Sequence, residues 1–296
     1  MKALLALLLL PLTMRAATTI DATDAHAYGA NVGWINTRGD VADGAVVGEF
    51  ICSGSIYSAN CGWISLGDGA PANGIRYQNL AAGDCGVNTQ DYLSLGGVVE
   101  AKLRGYAYGA NIGWVNFEAT GDARVDLATG QLKGHAYSAN AGWIALNGSG
   151  VTVRTTAIAA GADSDADGMS DAWERFHAGN LTLMTGLTDQ DGDGVPDRDE
   201  YGADTNPFSQ SEALQITAFV APRQLVVAEP TMTDVTWTSK ASRWYSIEFS
   251  PDLFIAFTPK VTNILPAAGP TTLQSFVDSA GTRGFYRVRA KLPLAP

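Results

Sequence analysis

A nine-residue motif occurs four times in the first half of the chain, and this repetition limits the possible folds more than any other feature. The copies read YGANVGWIN from Tyr28, YSANCGWIS from Tyr57, YGANIGWVN from Tyr108 and YSANAGWIA from Tyr137. The first and third copies share YGAN and lie 80 residues apart, as do the second and fourth, which share YSAN. A two-motif unit has therefore been duplicated with its order kept. This predicts one repeat domain over residues 18–160 with pseudo-twofold symmetry.

Each copy of the motif predicts a β-hairpin. Asn and Gly tolerate the left-handed backbone angles of tight turns, so a strand ending at Tyr would turn through Asn-x-Gly and return from Trp. The alternative is one continuous strand, in which Tyr and Trp share a face by the two-residue period. Residues repeated in symmetric units are typically packing residues, so we expect these rings to be packing anchors. Their alternative role is ligand binding, by Tyr28, Trp34, Tyr57, Trp63, Tyr108, Trp114, Tyr137 and Trp143.

Two Asp-rich loops follow the repeats. They read DSDADGMSDAWE over residues 163–174 and DQDGDGVPDRDE over residues 189–200. Both match the calcium-loop pattern of acidic residues at positions one, three, five, nine and twelve, with Gly at position six. Calcium takes about six to eight oxygen ligands, which alternate Asp side chains on a tightly turning loop can supply. We predict two Ca²⁺ sites, the first formed by Asp163, Asp165, Asp167, the Met169 carbonyl, Asp171 and Glu174. The second is formed by Asp189, Asp191, Asp193, the Val195 carbonyl, Asp197 and Glu200.

The negative charge of the chain is concentrated at these loops. Residues 161–204 hold twelve Asp and Glu against two Arg, and so carry −10 of the net charge of −11. This charge argues against nucleic-acid binding as a main role. The loops also differ from paired EF-hands, because no long helix precedes either of them and Pro196, at position eight, lacks the N–H needed for a bridge between loops.

The remaining patterns predict short helices and a second β domain. Helices are expected over Asp171–Ala178 and Asp197–Tyr201, with Trp173 and Phe176 as packing residues. Strand patterns separated by turns return from Leu214 onward, which is typical of a small β-sandwich. The expected fold is therefore mainly β. It comprises an internally duplicated β-repeat domain (18–160), a short two-loop calcium-binding segment (161–211) and a C-terminal β-sandwich (212–296).

The N-terminal segment and the cysteines indicate the cellular compartment in which the protein works. Residues 1–17 predict a cleaved signal peptide, because a lysine precedes an apolar run too short to span a bilayer. No second long apolar run follows, so no membrane span is expected in the mature protein.

The odd set Cys52, Cys61 and Cys85 suggests one disulfide and one free thiol in an exported protein. Alignment of the repeats nevertheless places Cys52 and Cys61 at apolar positions, so both are expected in the core.

Several of these segments resemble known families. The two Asp-rich loops, with DTNP over residues 204–207, resemble bacterial thrombospondin type 3 repeats, which bind calcium in extracellular proteins, and are more weakly similar to dockerin modules. The four-copy segment is similar to GYAWSENIGWI-type repeats of secreted bacterial proteins. The C-terminal segments WYSIEFSPDL and GFYRVR are similar to β-sandwich tails of exported proteins. These resemblances imply a secreted or cell-surface protein with structural calcium sites.

Three functions compete at this point. We favour a non-enzymatic structural or adhesion protein, secreted or on the bacterial cell surface and stiffened by calcium between two β modules. The second is binding of an extracellular polysaccharide or cell-envelope component, with the aromatic rings stacking on sugars. In that case the sugar hydroxyls would form hydrogen bonds with the side chains of Asn31, Asn60, Asn111 and Asn140. The third is a carbohydrate-active enzyme using carboxylates such as Glu49, Glu100 or Glu118, which no GxSxG, Walker or HExxH motif supports.

Overall fold

The computed structural model describes residues 18–39, 42–118, 120–223, 232–278 and 284–295. The predicted signal peptide, residues 1–17, lies outside these ranges. Strands dominate the described residues, which confirms the mainly β fold class. Within the same ranges, no helix is both long enough and apolar enough to cross a membrane.

Fourteen strands form the largest sheet. They are β1 (Ile20–Gly29), β2 (Gly33–Asn36), β3 (Val46–Val47), β4 (Cys52–Ser58), β5 (Gly62–Gly67), β6 (Val87–Leu95), β7 (Val98–Gly109), β8 (Gly113–Asn116), β9 (Arg124–Asp126), β10 (Leu132–Lys133), β11 (His135–Ser138), β12 (Gly142–Ala145), β13 (Asn147–Gly148) and β14 (Val151–Thr155). A short 3-10 helix, Ala82–Asp84, lies in the long loop between β5 and β6.

Eight of these strands close into a ring. Each copy of the motif is one antiparallel hairpin, namely β1–β2, β4–β5, β7–β8 or β11–β12, which confirms the predicted hairpins. Neighbouring hairpins pair through β2–β4, β5–β7 and β8–β11, and β12 returns to pair with β1. The four copies therefore occupy equivalent places, so the twofold repeat of the sequence becomes a fourfold arrangement of hairpins.

Small and β-branched side chains fill the interior of this ring. In the first hairpin Ala27 and Ile35 are buried, while Tyr28 and Trp34 between them point outward. The equivalent buried residues of the other hairpins are Ile56, Ile64, Ala107, Val115, Ala136 and Ile144. A closed sheet of eight strands leaves only enough room inside for side chains of this size, so the bulky Tyr and Trp side chains lie outside.

A cycle of hydrogen bonds joins the four turns at one end of the ring. In each copy the Asn side-chain amide donates to a main-chain carbonyl in the turn of the neighbouring copy. The bonds run from Asn31 to Ala141 (3.2 Å), Asn60 to Val32 (3.1 Å), Asn111 to Cys61 (3.1 Å) and Asn140 to Ile112 (3.2 Å). The four accepting residues are buried, so their side chains fill this end of the ring. The Asn residues are therefore structural joints between copies.

The rest of the chain forms two helices and two small sheets. The helices are α1 (Asp171–Ala178) and α2 (Asp197–Ala203); α1 has the predicted bounds and α2 extends beyond its predicted end. The strands are β15 (Ile216–Arg223), β16 (Met232–Thr238), β17 (Trp244–Ser250), β18 (Thr258–Ile264), β19 (Thr271–Val277) and β20 (Phe285–Lys291). They form the sheets β15-β16-β19 and β18-β17-β20. A shared core containing Val235, Trp237, Tyr245 and Ile247 supports the predicted sandwich.

The cysteines are only partly as expected. Cys52 and Cys61 are buried core residues, as the repeat alignment predicts. All three thiols, including that of Cys85, are free, so the expected disulfide is not formed.

Candidate functional site

The two Asp-rich loops share one pattern of internal hydrogen bonds. Position one of each loop accepts two main-chain N–H groups. Asp163 accepts from Asp167 (3.2 Å) and Gly168 (3.1 Å), and Asp189 accepts from Gly192 (2.8 Å) and Gly194 (2.9 Å). The glycine at position six has φ +96° in the first loop and +95° in the second, a conformation that strains other residues. Both loops therefore turn tightly around a centre.

Three aspartates converge on each centre. The carboxylate oxygens of Asp163, Asp165 and Asp167 lie within 4.8 Å of one another. Those of Asp189, Asp191 and Asp193 do the same. Two ligands at about 2.4 Å from one calcium ion can be at most about 4.8 Å apart, so this spacing suits a shared ion.

A buried glutamate closes each loop at position twelve. Glu174 and Glu200 are both 0% exposed. Neither carboxylate oxygen of Glu174 has a hydrogen-bond partner among the described residues, and one oxygen of Glu200 also has none. The other Glu200 oxygen accepts the Thr205 hydroxyl at 3.1 Å. Further buried oxygens without a partner belong to Asp167, Asp191 and Asp193. A buried carboxylate is costly unless a cation or a hydrogen bond compensates for it, and these oxygens are free to meet a cation.

The pKa values of the two buried glutamates are raised. Burial, followed by the charges of the loop aspartates, raises the pKa of Glu174 to about 7. Burial is also the main reason that the pKa of Glu200 is raised to about 7, with Asp191 and Asp193 adding to it. Without a cation, each glutamate therefore holds its proton up to a pH of about 7.

The predicted ligands at position nine have other partners. Asp171 accepts the Ser164 N–H at 2.7 Å and the Ser164 hydroxyl at 2.6 Å. Asp197 accepts the Gln190 N–H at 3.0 Å and the Thr188 hydroxyl. Both oxygens of each aspartate are thus used to tie the start of its loop to the following helix. Their direct ligation of an ion stays a prediction, and it would compete with these bonds.

The predicted carbonyl ligands follow the tight part of each loop. The main-chain N–H of Met169 donates to Asp167 at 3.0 Å, and that of Val195 donates to Asp193 at 2.7 Å. Ligation of an ion by the two carbonyl oxygens stays a prediction.

An apolar cluster lies beneath the first loop and joins it to the repeat domain. Its buried members are Phe50, Met169, Trp173 and Met184, and Tyr201 of α2 packs against them. The prediction that Trp173 is a packing residue is confirmed. The same prediction for Phe176 is wrong, because α1 has only about two turns and rests on the cluster through Trp173, leaving Phe176 exposed.

A buried ion pair connects all three parts of the chain. Arg243 of the C-terminal sheets lies 2.7 Å from Glu49 of the repeat domain, with side chains 1% and 3% exposed. Its guanidinium also donates to the carbonyls of Gly202 (3.0 Å) and Tyr201 (2.8 Å) in α2. The sequence singled out Glu49 only as a possible catalytic acid and gave no signal for Arg243. Burial raises the pKa of Glu49, and the nearby Arg243 charge acts against this shift.

The other carboxylates considered for catalysis have structural partners as well. Glu100 lies 2.7 Å from Lys102 and 3.0 Å from Arg124, between strands β7 and β9. Glu118 accepts the N–H of Gly105 at 3.2 Å.

The repeated Tyr and Trp rings lie on the outer surface of the closed sheet. They are 39–53% exposed, so the expectation that they are packing anchors of the core is wrong. The members of each pair contact one another across the hairpin, with ring centroids 4.8–5.1 Å apart. Successive side chains of a strand point to opposite faces of the sheet. The smaller residues next to each Tyr and Trp therefore fill the interior, while the aromatic side chains point outward. The chain thus presents four equivalent aromatic pairs to solvent.

Comparisons of this chain with protein-family models, with curated proteins and with solved structures find no match. The resemblance of the Asp-rich loops to thrombospondin type 3 repeats therefore stays a prediction.

Proposed function

We propose that this protein is a non-enzymatic extracellular structural or adhesion protein, in which two calcium ions stiffen the segment that joins two β modules. The observation that carries the proposal is the pair of buried position-twelve glutamates. Glu174 and Glu200 hold buried oxygens without partners, and the charges of the loop aspartates act on both glutamates. Extracellular calcium, which is abundant, is the cation that such loops of oxygen ligands accept.

The contacts around the loops support a stiffening role. The first loop shares the apolar cluster with Phe50 of the repeat domain. The second loop ends in α2, whose last carbonyls accept hydrogen bonds from Arg243 of the C-terminal sheets. An ion that fixes these loops would therefore fix both junctions. The predicted signal peptide supports an extracellular location, where calcium would be available.

Calcium titration calorimetry on the mature chain tests the proposal. We expect two binding sites, and we expect Glu174→Gln to weaken one of them at least about tenfold by removing a bidentate charged ligand. Asp199→Asn is the matched control, since it removes one acidic charge from an exposed position beside Glu200. Protease resistance of residues 161–211 should rise when calcium is added. If calcium binds to neither loop, or leaves protease resistance unchanged, the proposal is wrong.

A further inference from the structure

One of the four aromatic pairs differs from the others in its surroundings. The long loop between β5 and β6 breaks the symmetry of the repeats, and part of it lies beside the third copy. Asn79, Leu80, Ala81, Ala82 and Cys85 of this loop, together with Tyr106 and Trp114, line an open cleft of about 300 Å³. This volume is at the lower end of the range found for small-ligand sites.

The surroundings of two other tryptophans differ from those of Trp114. The Trp63 ring is approached by the chain at Gly39, and the Trp143 ring by the chain at Gly121, in the loops that join paired hairpins. Part of the inserted loop therefore forms one side of the cleft beside Trp114.

The aromatic floor of the cleft is formed by Tyr106 and Trp114. Trp114 contacts Tyr108 at 4.8 Å between centroids and Tyr106 at 6.2 Å, in each case nearly edge to face. Copies one and four carry histidines in the place of Tyr106, at 6.3 Å and 6.1 Å from their tryptophans, and copy two carries Ser55. In the third copy a second tyrosine, Tyr106, thus adds to the Tyr108–Trp114 pair beside the cleft.

The chemistry of the lining defines the ligand. None of the seven lining residues carries a charge, although the chain as a whole has a net charge of −11. Within the described part of the chain, the Tyr106 hydroxyl and the Trp114 indole N–H form no hydrogen bond to protein, and both are polar groups at the edge of aromatic rings. A ligand that fits must be neutral, with an apolar face to stack on a ring and polar groups around its rim.

We infer that this cleft binds a neutral pyranose residue of a polysaccharide, stacked on Trp114. The C–H face of such a sugar carries a partial positive charge that the negative face of an indole ring attracts, and its hydroxyls meet the Tyr106 hydroxyl and the indole N–H. The inference is independent of calcium, because the cleft contains none of the predicted metal ligands.

The repeats supply matched controls for a test. Affinity gel electrophoresis of the full chain, in saturating calcium, would use four neutral polysaccharides: a β-glucan, a xylan, a mannan and a galactan. We expect at least one to retard the protein, and Trp114→Ala to weaken that binding by about tenfold, as loss of one stacked ring does. Trp34→Ala removes the equivalent ring outside the cleft and should leave the affinity within about twofold.

A second variant protects the test against misfolding. Tyr106→Ser introduces the residue that copy two carries at the same place, so it is compatible with the hairpin. It should weaken binding by about threefold through loss of the hydroxyl and part of the floor. The inference is overturned if none of the polysaccharides retards the wild-type chain. It is also overturned if Trp34→Ala weakens binding as much as Trp114→Ala, or if Tyr106→Ser keeps full affinity.

Discussion

The buried ion pair between Arg243 and Glu49 makes a sharp prediction about stability. Arg243→Met keeps the length and the apolar stem of the side chain but removes its charge. Within the described ranges, Glu49 would then keep one side-chain partner, the Tyr201 hydroxyl at 3.2 Å. Removing one partner of a buried pair costs about 3–5 kcal/mol, because an uncompensated charge remains or a proton must be taken up.

An exposed ion pair close in sequence gives the control. Lys240 lies 2.8 Å from Glu212, nearly the same distance as in the buried pair, but both side chains are 40% or more exposed. Because water solvates such charges when the partner is lost, Lys240→Met should cost only about 0–1 kcal/mol. The comparison separates the effect of burial from the effect of charge.

Urea unfolding in saturating calcium, followed by tryptophan fluorescence, measures both variants. The double variant Glu49→Gln, Arg243→Met should be less destabilised than the sum of its two single variants, since it leaves neither partner charged and alone. If Arg243→Met is no more destabilising than Lys240→Met, the buried pair does not hold the modules together and the reasoning fails.

Three further predictions concern the loops and the turns. Calcium affinity should rise with pH up to and somewhat above about 7, because Glu174 and Glu200 must lose their protons to bind the ion. In calcium-free buffer, stability should instead fall as pH rises from about 4.5 towards 7, since the folded chain then holds protons that the unfolded chain has released. Calorimetry and thermal melts over this pH range check both trends, and a flat profile would contradict them. In the turns, Asn111→Ala should cost about 1–3 kcal/mol by leaving the buried Cys61 carbonyl without its partner, whereas Gln78→Ala on the surface should cost far less. Equal melting temperatures for the two variants would show that the cycle of turns adds no stability.

Local rules were enough to predict much of this structure. Asn and Gly at fixed places predicted the hairpins, and the acidic spacing predicted loops whose aspartates do converge. Helix α1 has the predicted bounds, and local residues set them: Ser170 caps its start, accepting the N–H of Trp173, and Gly179 ends it with φ +75°. Each of these features depends on residues that are near one another in sequence.

The errors arose where distant residues decide the outcome. The rings of Tyr108 and Trp114 were expected inside, because their repetition in every copy indicated packing. Closure of the sheet through β1 and β12 instead fixes which face is interior, and that pairing joins residues more than 100 positions apart. The partnership of Glu49 with Arg243 is of the same kind, since nothing in either local sequence refers to the other. Sequence periodicity identifies two faces of a strand but cannot tell which of them a closed sheet will enclose.

The cycle of Asn hydrogen bonds also limits how this domain can change in length. In an open array of repeats, units can be gained or lost at the ends, and the terminal units need special caps. Here the first turn bonds to the last, from Asn31 to the carbonyl of Ala141, so every copy has two neighbours and none is terminal. Deleting a hairpin, or inserting a fifth, would break two turn contacts and change the circumference of the sheet at the same time. The number of motif copies is therefore fixed by geometry, whereas the long insertion between β5 and β6 lies in a loop between hairpins, outside the cycle.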